Sequence, residues 1–233
     1  MKLKLTITAV SMLAAGCSPL APLPNHNKFF MLSPISESAA GTTVATSGSA
    51  VSIGVGPVDF PDYLRRKEVV TRTAANRIDV SDENRWAGPL DKNFTRVLSE
   101  NLAALLNTQR VESYPWSLSR SVDYQVIVDV QRFDTSSDKQ AKLVARWSIR
   151  DGHNGKELYS TQTVATAPVG SGEEGPTAAL SANVATLSRE ISAQITPLGR
   201  HSDNAFHPQM RSLSRNATIR ESRSDSAASL GAM

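Results

Sequence analysis

An α/β fold of the α+β type is the architecture this sequence predicts: a mostly antiparallel sheet with two amphipathic helices packed on one face. Apolar residues alternate with period 2 in several short segments, and they recur at helical spacing in two longer ones. The order along the chain is strands, helix, strands, helix. Neither helix can bury its apolar stripe alone, so one shared sheet face is the simplest layered solution.

Lys28-Phe29-Phe30-Met31-Leu32 is a short apolar run closed by Ser33-Pro34 and reads as a first strand. Val51, Ile53 and Val55 alternate with small residues until Pro57 stops the pattern. Glu68 to Arg72 and Arg77 to Val80 flank Ala-Ala-Asn and read as a hairpin. After Gly88-Pro89 the period changes. Leu90, Phe94, Val97, Leu98, Leu102, Leu105 and Leu106 share a helical face, and Pro89 is tolerated at the helix entry. Val111 to Tyr114 reads as a short strand ahead of Pro115-Trp116. A meander follows: Tyr124 to Val130, then Lys142 to Ile149, then Glu157 to Val164, with Asp151-Gly152 and Asn154-Gly155 supplying turns. Leu180, Val184, Leu187, Ile191 and Ile195 step at helical spacing after Gly175-Pro176, which gives the second helix.

The N-terminus carries a different message. Lys2 and Lys4 precede an apolar stretch from Leu5 to Ala15, too short to span a bilayer, which needs roughly 20 apolar residues. This is a signal peptide over residues 1–16. It ends in Leu13-Ala14-Ala15-Gly16-Cys17, and Cys17 is the only cysteine in the chain. An exported lone cysteine has no internal disulfide partner. The run fits a lipobox, in which Cys17 carries a covalent diacylglycerol thioether and, after cleavage, an N-acyl chain such as palmitate. A plain signal peptide cut beside an incidental cysteine is the alternative. Each buried methylene contributes about 0.8 kcal/mol, so two or three chains anchor a protein stably. Ser18 stands where aspartate would retain a lipoprotein in the inner membrane, which favours the outer membrane, facing the periplasm.

Residues 17–27 then form a proline-rich lipidated tether, residues 28–198 a single lipoprotein domain, and residues 199–233 a Ser- and Arg-rich tail expected to be disordered. Residues 36–50, rich in Ser, Thr, Ala and Gly, read as a loop. With the signal segment removed, the net side-chain charge is about +1, and no basic stripe interleaved with aromatics argues for nucleic acid. The four histidines, His26, His153, His201 and His207, fall in tether, turn and tail, without metal-ligand spacing. No nucleophile has a base at motif spacing. The sequence therefore predicts neither an enzyme nor a metal or cofactor site.

One segment stands out, Gly56-Pro57-Val58-Asp59-Phe60-Pro61-Asp62-Tyr63-Leu64-Arg65-Arg66. Prolines stiffen it while it carries large apolar groups. It is either a loop tucked over the core or a partner-facing edge, since rigid aromatic and arginine side chains make good anchors. Asp59, Pro61, Tyr63, Leu64 and Arg65, with Trp86 and Trp116, are the candidate partner-binding residues. For Trp86, packing is the favoured reading.

With these residues in view, the chain resembles the PqiC-like family of ABC-type transport auxiliary lipoproteins. The resemblance rests on Ile53-Gly54-Val55-Gly56-Pro57-Val58, Pro61-Asp62-Tyr63-Leu64 and Val69-Val70-Thr71-Arg72. It continues in Arg85-Trp86-Ala87-Gly88-Pro89-Leu90, Arg96 to Leu102, Pro115-Trp116, Tyr124-Gln125-Val126, Arg132-Phe133-Asp134 and Leu143 to Trp147. The resemblance implies a lipoprotein that docks in the periplasm on an MCE-domain (mammalian cell entry) protein, the partner of an ABC permease and ATPase in lipid transport and membrane integrity. It also allows a ring-shaped homo-oligomer. An assembly lipoprotein of another outer-membrane complex is the alternative. For the anchor, Cys17→Ser is expected to move the protein from the membrane to the soluble fraction, with the mature N-terminal mass reporting loss of the acyl groups.

Overall fold

The computed structural model describes residues 26–35, 51–116 and 121–206, with side chains as far as 199. Cys17, residues 18–25 of the expected tether, the expected loop at 36–50 and residues 207–233 lie outside the described residues. Strands β1 (Lys28–Phe30), β2 (Ile53–Asp59), β3 (Glu68–Ala74) and β4 (Arg77–Trp86) precede helix α1 (Leu90–Leu106). Strands β5 (Val111–Ser113), β6 (Tyr124–Ser136), β7 (Gln140–Asp151) and β8 (Glu157–Pro168) separate α1 from α2 (Gly175–Phe206).

All eight strands join one sheet, and β6 is its hub. On one side β7 and β8 continue it as long antiparallel ladders. On the other side β6 pairs in parallel with two strands in succession, β2 along Tyr124 to Asp129 and β3 at Thr135 and Ser136. β5 lies parallel outside β2, while β4 lies antiparallel outside β3 and carries β1 parallel on its far edge. The expected antiparallel ladders thus hold most of the residue pairs. The parallel pairings add to them, because a period-2 pattern is the same for either direction.

Both helices cover one face. Leu90, Phe94, Val97, Leu98 and Leu102 of α1 join Ile53 and Val55 of β2 in a single core. Leu180, Val184, Leu187, Ile191 and Ile195 of α2 meet the inward residues of β6 and β7, among them Val126, Val128, Leu143 and Ile149. Asn107, at φ 49°, ends α1 and donates its N–H back to Ala103 and Ala104 carbonyls, a left-handed cap that asparagine tolerates better than β-branched residues. α2 runs on through Pro197 to Phe206, so the part of the expected disordered tail from 199 to 206 is helical. Proline has no N–H and deprives the Ala193 carbonyl of its helical donor. Ala193 and Pro197 are both exposed, so water can serve that carbonyl and the helix continues.

Two polar links tie the layers together. Trp147 Nε1 donates to Thr163 Oγ1 at 2.8 Å, and that hydroxyl donates to Glu190 of α2. Between the helices, buried Asn101 donates from Nδ2 to Ser188 Oγ at 3.0 Å, and its Oδ1 accepts from the Ile35 N–H at 2.8 Å. Every polar atom of this asparagine is therefore used where water cannot reach. Asn101→Ala is expected to lower unfolding free energy by about 2 kcal/mol, leaving the Ile35 N–H unpaired, as read from the urea midpoint at unchanged slope.

Candidate partner-binding site

The candidate segment is where the sheet cannot close. From Asp59, paired with Asp129, to Thr71, paired with Thr135, the chain takes twelve residue steps while β6 takes six. Six residues must leave the sheet. Pro61, already fixed near the φ of −64° it adopts, opens a short 3₁₀ turn over Asp62–Leu64. The Leu64 and Arg65 N–H groups close it on the Pro61 and Asp62 carbonyls, both at 3.0 Å.

The turn folds back into the gap that it leaves. Phe60 packs edge to face on Phe94 of α1 and Phe133 of β6, with centroids 5.3 and 6.3 Å away. Phe94 and Phe133 meet at 5.4 Å and 90°. Edge-to-face packing suits the ring quadrupoles and adds to the area buried. Phe133 reaches this cluster because the β6–β7 register shifts between Val130 and Arg132. Below the shift, the even-numbered Val126, Val128 and Val130 face inward; above it, Phe133 does. A bulge is the device that reverses this phase.

Asp134, the next residue, faces the other way and is 1% exposed. Its Oδ2 accepts from Arg72 Nη2 at 3.0 Å, Arg72 Nε at 3.2 Å and Tyr63 Oη at 3.3 Å, and its Oδ1 accepts from Arg132 Nε at 2.8 Å. The Arg72 guanidinium also lies 5.9 Å from the Tyr63 ring centre. Burial, reinforced by the negative charge of Asp134, pushes the Tyr63 phenol up from its ordinary pKa, so the hydroxyl stays a donor. Phe60 thus plugs the gap from the core side and Tyr63 from the opposite side.

The remaining candidates separate by burial. Leu64 is 3% and Trp86 5% exposed, so both are core residues. Arg65 lies along the surface, with Nε on the Phe60 carbonyl at 2.9 Å and Nη2 on Asp59. That ion pair is solvent-exposed and contributes little to stability. Leu64, Arg65 and Trp86 line one cleft of about 490 Å³ with the entry of α1. Trp116 lies apart from it, edge to face with Tyr114 at 5.5 Å and seated on β2. A Cβ on Gly54 would stand 2.7 Å from Trp116 Cη2, so the Gly54-Val55-Gly56 run serves this aromatic pair.

Sequence patterning singled out the turn but not its partners. Asp134, Arg132 and Phe133 are consecutive residues of a strand, and Phe94 belongs to an ordinary helical stripe. Only the alternation breaking after Val130 signals that a charged residue is buried there. Chemically, the turn presents a surface of mixed charge, Arg65 paired with the exposed Asp59 and Asp62 and Arg66 with Glu68. Among the described residues, no group of three or more His, Cys, Asp or Glu side chains is placed to hold a metal ion.

Residues 32–192 match the family of ABC-type transport auxiliary lipoprotein components. The intermembrane transport lipoprotein PqiC of Escherichia coli is 28% identical over 153 residues, covering 66% of this chain and 76% of that protein. In solved structures, an uncharacterized protein superposes with a TM-score of 0.59 at 20% identity, covering 72% of this chain and 98% of its own. A Xanthomonas campestris protein gives the same score at 12% identity, covering 76% and 99%. These two likenesses establish the fold.

Asp134→Asn leaves Arg72 and Arg132 without their shared charge and is expected to cost about 3 kcal/mol. Tyr63→Phe removes one long hydrogen bond and is expected to cost about 1 kcal/mol. Urea unfolding followed by circular dichroism orders the two.

Proposed function

Because the chain belongs to the family of ABC-type transport auxiliary lipoprotein components, we propose that it is the non-enzymatic auxiliary subunit of an MCE-type lipid-transport system. In this reading Cys17 carries the lipid, and the protein sits on the outer membrane facing the periplasm. It docks there on an MCE-domain protein, itself served by an ABC permease and ATPase, and supports membrane integrity. A ring of several copies is consistent with a tubular partner.

The observation that carries the reading is the match across residues 32–192, which takes in β2 to β8, α1, the turn and more than half of α2. The similarity to a lipoprotein named for intermembrane transport gives it direction. The geometry gives it scale. A tether of ten residues reaches at most roughly 35 Å, so the domain meets its partner close to the membrane. Among the described residues, no helix is long and apolar enough to cross a bilayer.

The docking surface proposed is the outer side of the turn, Asp59, Pro61, Tyr63 and Arg65, held in shape by Leu64 and Trp86. Trp116 marks a second patch on the same sheet. Affinity purification of the lipidated protein from membranes is expected to recover an MCE-domain protein. Asp59→Ala combined with Arg65→Ala should reduce that recovery several-fold without changing the melting temperature by more than a few degrees. Repeated recovery of a different outer-membrane complex, with no MCE-domain protein, overturns the reading in favour of an assembly role.

A further inference from the structure

The cleft beneath the turn has chemistry that partner docking does not use. Its floor is formed by Phe60, Leu64, Trp86 and Leu90, all apolar. Its rim carries Arg65, Arg66 and Lys67 in succession, each exposed, against one carboxylate, Asp91. Arg65 is engaged with Asp59, Asp62 and the Phe60 carbonyl. Arg66 forms a loose, partly exposed ion pair with Glu68, Nε to Oε2 at 3.8 Å, which an anion of higher charge can displace, and Lys67 has no ion-pair partner among the described residues.

The end of α1 adds to this field. Its N-cap is Pro89, which makes no side-chain cap, and the first internal bond runs from the Asn93 N–H to the Pro89 carbonyl at 3.1 Å. The N–H groups of Leu90, Asp91 and Lys92 precede that bond, at the positive end of the helix dipole. Phe29 stands at the mouth, 63% exposed, on the strand where the chain from Cys17 enters the domain. At about 490 Å³ the cleft falls within the roughly 300–1,000 Å³ of small-molecule sites.

We infer that this cleft binds an anionic phospholipid, with one acyl chain against Phe60, Leu64, Trp86 and Leu90 and the phosphate against Arg66 and Lys67. An apolar floor with a cationic rim is complementary to an amphiphile of that charge, and it suits neither a neutral sugar nor a cation. The inference deepens the proposed function by giving the domain its own lipid contact. It rests on that reading only for the nearness of a membrane, not for the identity of the docking partner.

Trp86 makes the site observable. Full-length protein in detergent is titrated with short-chain phosphatidylglycerol, below its micelle concentration, carrying bromine on one acyl chain; bromine quenches a tryptophan that it touches. Saturable quenching is expected, and Trp86→Phe should abolish it although Trp116 and Trp147 remain. Arg66→Glu combined with Lys67→Glu changes only exposed side chains and should weaken the apparent affinity at least about tenfold. The melting curve of that variant checks its fold. Brominated phosphatidylcholine, whose phosphate is paired with a cation, should bind more weakly. The inference is overturned by quenching that survives Trp86→Phe, by equal affinity in the charge-reversed variant, or by an acidic peptide saturating the cleft where the lipid does not. Failure to purify an MCE-domain protein overturns the docking partner and leaves this result untouched.

Discussion

One edge of β6 serves two strands, and the rest of the structure follows from that sharing. β2 takes the first half of the edge and β3 takes the second, both parallel, so they act as one interrupted strand. The chain between them is six residues too long for the sheet and must be extruded. An extruded segment beside a buried strand would open the core to water. Here it is turned back by Pro61 and sealed by Phe60 on Phe94 and Phe133. Because Phe94 lies on α1, the same contact fixes where that helix sits over β2 and β5.

The seal has two sides, and each has a different chemistry. Toward the helices it is aromatic and dry. Toward the opposite face it is a buried carboxylate, Asp134, shared by Arg72 from β3, Arg132 from β6 and Tyr63 from the turn. A buried charge is tolerable only when its hydrogen-bonding capacity is met, and Asp134 meets it with donors from three elements. Position is therefore specified twice, once by shape and once by charge. This double fixing gives the turn the rigidity that a docking surface requires, since ordering a loose segment on binding costs affinity.

The turn's two surfaces also divide the functional reading. Its outer side, with Asp59, Pro61 and Arg65, is the surface proposed for a protein partner, while its underside and the entry of α1 enclose an apolar cleft lined by Arg65, Arg66 and Lys67. The cleft reaches Phe29 of β1.

Much of the fold was legible in the residues. The stripe from Leu90 to Leu102 and the stripe from Leu180 to Ile195 located both helices, and alternation located the meander from Tyr124 to Val164. Helical and strand periods arise from local geometry, so a single sequence carries them. The turn at 59–65 was legible as an anomaly, through its prolines and apolar groups. The burial of Trp86 agrees with the packing that its sequence context favoured, whereas the pairing of β6 with both β2 and β3 and the burial of Asp134 and Leu64 were decided only by the tertiary structure. So was the continuation of α2 through Pro197, which a local rule would end. Each depends on residues distant in the chain meeting across the sheet. Local periodicity records which face is apolar, but not which strand lies opposite or what covers a gap.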